Sequence, residues 1–375
     1  MKSPEDVSQE KARAYQRQKQ ILTLVHLVLS PLILVLMVLS GFPKNWAAVS
    51  AAIGTHWAVS FSLFFTFFSL IFMLIDLPFS YYSGYRLEKK YGLSTQTPLT
   101  WGLDFLKQAL LGFAVSLLLL LGLYTLILRL PGTWWFWAWA GFALFTYGTG
   151  KLFPVLIVPL FYRYSPVENQ SLKDRIARLG ARFGLSIERI HSINLSRTTR
   201  KANAAFMGIG KTKRVVLSDT LLSQFEEDEI EAVLAHELGH CCHNDIWRLF
   251  ALNLAITFIS FRLVWTLLPA AAETFGLQGP GDMAGLPLLL LIFSVLSLFI
   301  QPVTRGFSRR IEKQADHFAL LAMGSKDAFI RCMRKLARVN LADPDPHPLY
   351  EWFFYDHPAI RRRIAYAEAL QLPGS

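Results

Sequence analysis

The chain has 375 residues, 53% of them hydrophobic, and 38 Lys and Arg outweigh 27 Asp and Glu for a net charge of +11. That length supports a sizeable core, while three cysteines, of which Cys241 and Cys242 are adjacent and Cys332 is distant, argue against a disulfide framework. The positive balance requires no nucleic-acid partner. Membrane orientation and anionic lipid headgroups account for it, and no nucleic-acid-binding motif is present.

The apolar residues are gathered into long runs. A hydrocarbon core of about 30 Å needs about 20 apolar residues in a helix, and six stretches meet that need: 21–41, 57–79, 108–129, 133–161, 247–268 and 285–304. The first is expected to stay attached as a span, because it lacks a small-residue cleavage site and is too long for the apolar region of a signal peptide. Pro154 and Pro159 predict a kink or an early end in the fourth. Lys2, Lys11, Arg13, Arg17 and Lys19 precede the first run, and Arg86, Lys89, Lys90 and Lys107 fill the second connection, whereas the opposite connections hold only Lys44 and Arg129. The positive-inside rule then predicts an integral, multi-pass membrane protein with both termini cytoplasmic. Lys151 and Arg262 fall within apolar runs, where such side chains line a polar chamber or snorkel to an interface.

Two more polar pieces flank the last two spans. The first opens with a helical segment near Leu172 to Phe183 and a strand-like run from Arg189 to Leu195. Asn203 to Met207 and Arg214 to Ser218 then read as a β-hairpin across Gly208 to Lys213, whose two glycines suit a turn. Ser223-Gln224-Phe225-Glu226 fits a capping box, and Glu226, Glu227, Asp228 and Glu229 place acidic charge where a helix dipole favours it. The helix so started carries His236-Glu237-Leu238-Gly239-His240. Residues four apart share a helix face, so both imidazoles reach one metal ion while Glu237 points to the space where a metal-bound water would sit. This is the pattern of a zinc hydrolase. Cys241 and Cys242 are rotated off the ligand face, and His243 is expected to be structural.

A catalytic zinc takes three protein ligands and leaves a fourth position for water. The polar piece after the sixth span offers the third in Glu312, with Asp316 four residues on to hydrogen-bond a ligand imidazole. By itself Glu312 among arginines would read as a solvated charged face; the preceding motif favours a ligand. The expectation is one Zn2+ per chain, held against the cytoplasmic face of the bilayer or within it by two helices joined through a membrane hairpin. The chain divides accordingly into a membrane domain of about four spans at 1–163, a catalytic piece at 164–246, the membrane hairpin at 247–304 and a second catalytic piece at 305–375.

Taken in order, these motifs resemble the integral-membrane CAAX prenyl endopeptidases of the zinc type. The resemblance covers most of the chain. It rests on Leu77-Pro78-Phe79-Ser80-Tyr81-Tyr82 with Glu88-Lys89-Lys90-Tyr91-Gly92, on Pro159-Leu160-Phe161, on Asn203-Ala204 with Phe206 and Gly208, and on Val216 to Leu222. It rests further on His236 to His240, Glu312 to Asp316, and His357-Pro358 with Arg363, while Cys241 stands where members carry Trp and Ala359 replaces a usual second proline.

The resemblance implies a mainly α, polytopic fold: a helical transmembrane bundle enclosing a chamber, with a zincin-like α+β catalytic domain that contains a small β-hairpin or sheet. It implies His236, His240 and Glu312 as zinc ligands, Glu237 as general base, and Asn203, Ala204 and Ala205 on an edge strand that holds extended substrate. His357 and Arg363 would stabilise the oxyanion or position substrate. The substrate would be a peptide or protein, prenylated or membrane-associated, and lipid the other partner. A quality-control protease of broad specificity shares this chemistry. A transporter or scaffold with a structural zinc does not, because it has no need of Glu237 beside the water position.

Overall fold

A computed structural model describes residues 4–184, 190–212 and 214–372. Backbone polar groups in hydrocarbon must be satisfied within their own segment, and the first part of the chain is built of helices joined by short loops. In order come α1 (Pro4–Ser40), α2 (Phe42–Ile53), α3 (Trp57–Tyr81), α4 (Leu87–Lys90), α5 (Pro98–Arg129), α6 (Trp134–Leu152) and α7 (Val158–Phe161). A π-helical turn at Phe153–Ile157 carries α6 into α7. The helix thus passes Pro154 by widening one turn instead of stopping there.

The catalytic piece mixes helices with a small sheet. Its elements are β1 (Tyr164–Pro166), α8 (Gln170–Arg182), β2 (Ile190–Ile193), β3 (Ala204–Met207), β4 (Arg214–Ser218), α9 (Asp219–Gln224) and α10 (Glu227–Cys242). The hairpin forms as expected, with Ala204 opposite Leu217 and Met207 opposite Arg214. It belongs to a four-stranded sheet ordered β1-β2-β4-β3, in which β2 and β4 run parallel and the outer pairs antiparallel. β1 was not foreseen, since three residues ending in Pro166 carry no alternation to read. Arg189 and Lys213, parts of the expected strand and turn, lie outside the described residues. The cap of α10 also differs from expectation. Phe225 is extended (φ −110°, ψ 147°), so the helix restarts after it, and the reciprocal box pairs Glu226 with Glu229, whose Oε2 accepts the Glu226 amide at 2.9 Å. Ser223 instead closes α9.

α11 (Asp245–Thr274) and α12 (Leu286–Met323) return through the membrane, and α13 (Asp327–Asn340), α14 (Pro348–Phe354) and α15 (Ile360–Ala369) complete the fold. Among the described residues, six helical stretches are long and apolar enough to cross a bilayer: Gln9–Ser40, Trp57–Lys90, Pro98–Arg129, Trp134–Phe161, Asp245–Thr274 and Met283–Met323. Each contains one expected run to within a residue. At 38 residues α12 extends about 57 Å, far beyond a hydrocarbon core of about 30 Å. One unbroken rod therefore carries the last span and, past it, Glu312 and Asp316.

Around the bundle α1 packs on α12, α12 on α11, α11 on α6, α6 on α5 and α5 on α3, and α2 joins α1 to α3. One apolar core lies inside this bundle, built on Phe61, Phe64, Tyr124, Val264 and Leu286. A second, built on Leu217, Leu234, Leu238, Leu320 and Phe329, cements the sheet, α10, α12 and α13. A polar knot ties the two regions. The buried Glu88 carboxylate takes ion pairs from Lys19 at 2.7 Å and Lys201 at 2.9 Å and a hydrogen bond from the Tyr15 hydroxyl. Gln16 Nε2 donates to the Leu341 carbonyl at 2.7 Å, so the first helix is fastened directly to the catalytic part.

The charge asymmetry makes the topology testable. In a background lacking Cys241, Cys242 and Cys332, Gly279→Cys and Gln170→Cys should react with an impermeant thiol reagent from opposite sides of the membrane. Labelling from one side would remove the two-span hairpin.

Candidate metal centre

The i,i+4 spacing does what helix geometry requires: His236 and His240 project together from α10, ring centroids 4.8 Å apart and Nε2 atoms 3.2 Å apart. Glu312 faces them from α12. Its Oε2 is 3.1 Å from His236 Nε2 and its Oε1 3.4 Å from His240 Nε2. The three residues offer ligand atoms all within 4.8 Å of one another.

Both imidazoles are fixed from behind. His236 Nδ1 lies 2.9 Å from Asp316 Oδ1, and His240 Nδ1 lies 2.9 Å from Asp245 Oδ2. Each carboxylate accepts the Nδ1 proton, which turns both Nε2 lone pairs inward. Two lone pairs and a carboxylate then converge, and Glu312 Oε2 is buried without a hydrogen bond. A cation satisfies that arrangement. Burial opposes a charged His236, but the Asp316 and Glu312 carboxylates beside it more than reverse this and push its pKa up to about 9. Two imidazoles and one carboxylate form the donor set of an open, catalytic zinc site.

Gly239, between the two histidines, sets the approach of α10 to α12. A Cβ there would lie 3.0 Å from Ala315 Cα and 3.3 Å from both the Ala315 carbonyl oxygen and Phe318 Cβ. A methyl group there would require the α12 backbone to give by a few tenths of an ångström, so glycine lets the face of α10 that carries His236 and His240 come this close to Glu312.

Glu237 sits beside the free edge of β3. Asn203 spends its amide and carbonyl on Ser218 across the ladder (3.0 and 2.9 Å), so by strand alternation Ala204 and Phe206 turn theirs outward. The Phe206 amide donates to Glu237 Oε2 at 3.1 Å. Glu237 also divides two clefts. One of about 470 Å³ includes Asn203, Ala204, His236, His357 and Arg363; the other, of about 200 Å³, includes Phe206, His240, Cys241 and Trp247. Ala205, by the same alternation, points its polar backbone at β4 and away from the clefts. His243 packs its ring against Phe318, centroids 5.9 Å apart, as expected of a structural residue.

The C-terminal segment reaches the site through α12. Arg305, Arg309, Glu312 and Asp316 recur at spacings of four, three and four, which is one helix face. Arg305 Nη1 pairs with Asp356 at 3.1 Å, and Asp356 Oδ1 lies 2.8 Å from His357 Nδ1, with the Asp356 carboxyl held down at about 2 chiefly by that hydrogen bond. His357 Nε2 then lies 3.2 Å from Glu312 Oε2, beside the ligand cluster. Arg309 Nη1 donates to the carbonyls of Glu351 (2.9 Å), Trp352 (3.2 Å) and Tyr355 (2.6 Å), capping α14 and fixing the chain two residues before His357. Arg363, partly buried, pairs with Asp316, with Nε–Oδ2 at 2.8 Å and Nη2–Oδ1 at 2.5 Å.

Asp245, Arg305, Arg309 and Asp356 escaped the sequence reading. Asp245 carried a faint signal, an acid five residues beyond His240. Its reach depends on Asn244 adopting a left-handed turn (φ 55°) between α10 and α11, which spacing does not reveal.

With this geometry in hand, comparison with known proteins is decisive. Residues 166–371 match the family model described as peptidase family M48, and residues 4–163 match that described as CAAX prenyl protease N-terminal, five membrane helices. The chain belongs to peptidase family M48. Among its relatives, the metalloprotease YhfN of Bacillus subtilis is 31% identical over 367 residues, spanning 95% of this chain and 84% of that one. CAAX prenyl protease 1 of Saccharomyces cerevisiae is 29% identical over 86% of this chain and 77% of its own length. The crystal structure of S. mikatae Ste24p superposes with a TM-score of 0.86 at 27% identity, covering 97% of this chain and 89% of that one. This M48 chain is a membrane-embedded metalloprotease that acts on peptide or protein substrates, and the non-catalytic scaffold reading falls away. Across 4–163 the described residues supply four span-length helices and the shorter α2.

Two variants test the construction of the site. Gly239→Ala should force α10 and α12 apart and lower metal affinity by about 10- to 100-fold, the usual scale for disturbing the support of a ligand; metal titration of the purified enzyme reads it. Arg309→Ala should leave metal content full but cut kcat by about 10²-fold, the scale of a misplacement of about 1 Å near the chemistry. Unchanged kcat would mean that α14 holds His357 unaided.

Proposed function

We propose that this M48 protease is a zinc endopeptidase of prenylated, membrane-associated peptides, with one Zn2+ per chain on His236, His240 and Glu312. The observation that carries the reading is Glu237: a carboxylate beside the ligand cluster, held at one oxygen by the edge-strand amide of Phe206 at 3.1 Å. A structural metal site has no use for it.

Bound zinc supplies Lewis acidity, polarising a carbonyl and lowering the pKa of water from about 15.7 toward about 7. The chain does the rest. With Oε2 anchored, Glu237 has Oε1 free to take the proton of the attacking water and deliver it to the leaving amine. The edge formed by Asn203, Ala204 and Ala205 with Phe206 holds substrate extended, with the outward amide and carbonyl of Ala204 as main-chain partners. His357 is oriented by Asp356 so that Nε2 donates to the developing oxyanion. Asp316 fixes the His236 tautomer, and Arg363 clamps Asp316 while bordering the larger cleft. The prenylated substrate class follows the CAAX prenyl protease relatives, and the distribution of Lys and Arg supports an active site near the cytoplasmic face.

Glu237→Gln should retain a full complement of zinc and lose at least about 10³-fold in turnover, measured by metal analysis and cleavage on the same preparation. Wild-type enzyme should cleave a prenylated CAAX peptide faster than its unprenylated form or an unfolded soluble polypeptide. Preferred cleavage of the unfolded polypeptide would replace this substrate class with quality control.

A further inference from the structure

The outer edge of β3 is not open along its whole length. Asn203 spends its amide and carbonyl on Ser218, so the alternation that turns Ala204 and Phe206 outward turns Ala202 outward as well. Ala202 already has a partner there. The Asn340 carboxamide accepts the Ala202 amide at Oδ1 (2.9 Å) and donates from Nδ2 to the Ala202 carbonyl (3.1 Å). One side-chain amide thus makes both of the main-chain bonds that a residue of a neighbouring antiparallel strand would make. Exposure follows this pattern: Ala202 is buried at 3%, whereas Ala204 to Met207 remain partly exposed.

Asn340 is firmly placed. It is the last residue of α13, which packs on α10, and Leu341 after it is left-handed (φ 48°). The Ala342 amide returns to the Ala337 carbonyl at 2.9 Å, closing that bend, and the Leu341 carbonyl accepts Gln16 Nε2 of α1 at 2.7 Å. Gln16, Ala202, Asn340 and Asp343 all border the larger cleft, together with His236 and Glu237. The end of α13 and α1 are therefore joined beside the point where the edge closes.

We propose that Asn340 is a specificity-determining residue: it ends the substrate-binding edge of β3 and limits how far an extended peptide pairs beyond Glu237 toward α13. The assignment rests on the edge-strand role proposed above. Phe206, whose amide meets Glu237, and Ala202 are four residues apart, about 13 Å of strand. About four residues of extended peptide therefore fit on this side before main-chain pairing stops. The carboxamide occupies backbone positions, so the limit is one of length and takes no account of side chains. It acts on the peptide and is independent of any lipid attached to it.

Two measurements on the full-length enzyme in nanodiscs test this. In Glu237→Gln, which holds peptide without cleaving it, residue-resolved hydrogen exchange should find the Ala202 amide protected before peptide is added and unchanged after. The Ala204 amide should exchange at least about tenfold more slowly once peptide is bound. Protection of Ala202 that appears only with peptide overturns the stop, while no gain at Ala204 removes the edge-strand role on which it rests. In active enzyme, peptides sharing one scissile sequence and lengthened at either end should gain in kcat/KM up to about four residues at one end and no further. Asn340→Ala opens the Ala202 pair, so the next residue at that end should lower KM by about fivefold or more, the scale of one net hydrogen bond, with kcat unchanged. Asn340→Asp still accepts the Ala202 amide and should keep the limit. No gain at either end in an Asn340→Ala enzyme that retains its metal overturns the proposal; if that variant fails to fold, the exchange measurement decides alone.

Discussion

Close contact between two helices is the constraint on which the rest of this structure depends. α10 brings His236, Glu237 and His240, α12 brings Glu312 to face them, and Gly239 against Ala315 lets their backbones approach where a methyl group would meet carbon at 3.0 Å. Packed interiors do not deform continuously, so a sub-ångström change at this contact is transmitted to all three ligands at once. Ala235, Leu238, Ala315 and Ala319 on the two helices are fully buried as well. Metal geometry here is thus a consequence of helix packing, with the ligands themselves adding only short side-chain reach.

α12 then acts as the frame for everything that arrives later in the chain. Its single face of Arg305, Arg309, Glu312 and Asp316 meets Asp356, three carbonyls around α14, the ligand cluster and Arg363 in turn. Charges on such a rod would be costly if left unpaired away from water. Here each finds a partner on the C-terminal segment, and α15 is placed by Arg363 on a carboxylate that already orients His236. The arrangement explains why a segment more than a hundred residues beyond the ligand helix, carrying little secondary structure around His357, still arrives within 3.2 Å of Glu312.

Periodicity and spacing exposed a large part of this. Six apolar runs located the spans because a bilayer imposes a length, and the hairpin around Gly208 emerged because alternation and turn residues agree there. His236 and His240 share a face because four-residue spacing is a geometric statement about a helix, whereas Glu312 on α12 was picked out by the chemistry of a third ligand and reaches them by the packing of α10 on α12. What stayed hidden depends on tertiary contact. The three-residue β1 has too little sequence to show a pattern, the left-handed Asn244 that aims Asp245 is a matter of backbone conformation, and Arg309 looks like any arginine until the end of α14 is brought beneath it. Ser223 misled for a related reason: its spacing to Glu226 fits a cap, but the extended Phe225 between them moves the helix start.

His236 and His240 stand on one side of a two-span hairpin and Glu312 on the other, so an ion held by all three would couple metal binding to the integrity of the bundle. His236 and His240 precede α11 and Glu312 lies at the far end of α12, so an ion that binds all three favours the packed arrangement of both spans over any separated one. That linkage stabilises the fold by RT ln(1 + [M]/Kd) for free metal at concentration [M]. It works in both directions: whatever holds α11 and α12 together also pre-forms the site and spares the ion the work of assembling it. Asp245 is placed at the junction where this coupling is most direct. It starts α11, accepts Arg248 at 2.7 Å and holds His240 at 2.9 Å, so the first turn of a membrane span and the tautomer of His240 are set by the same carboxylate.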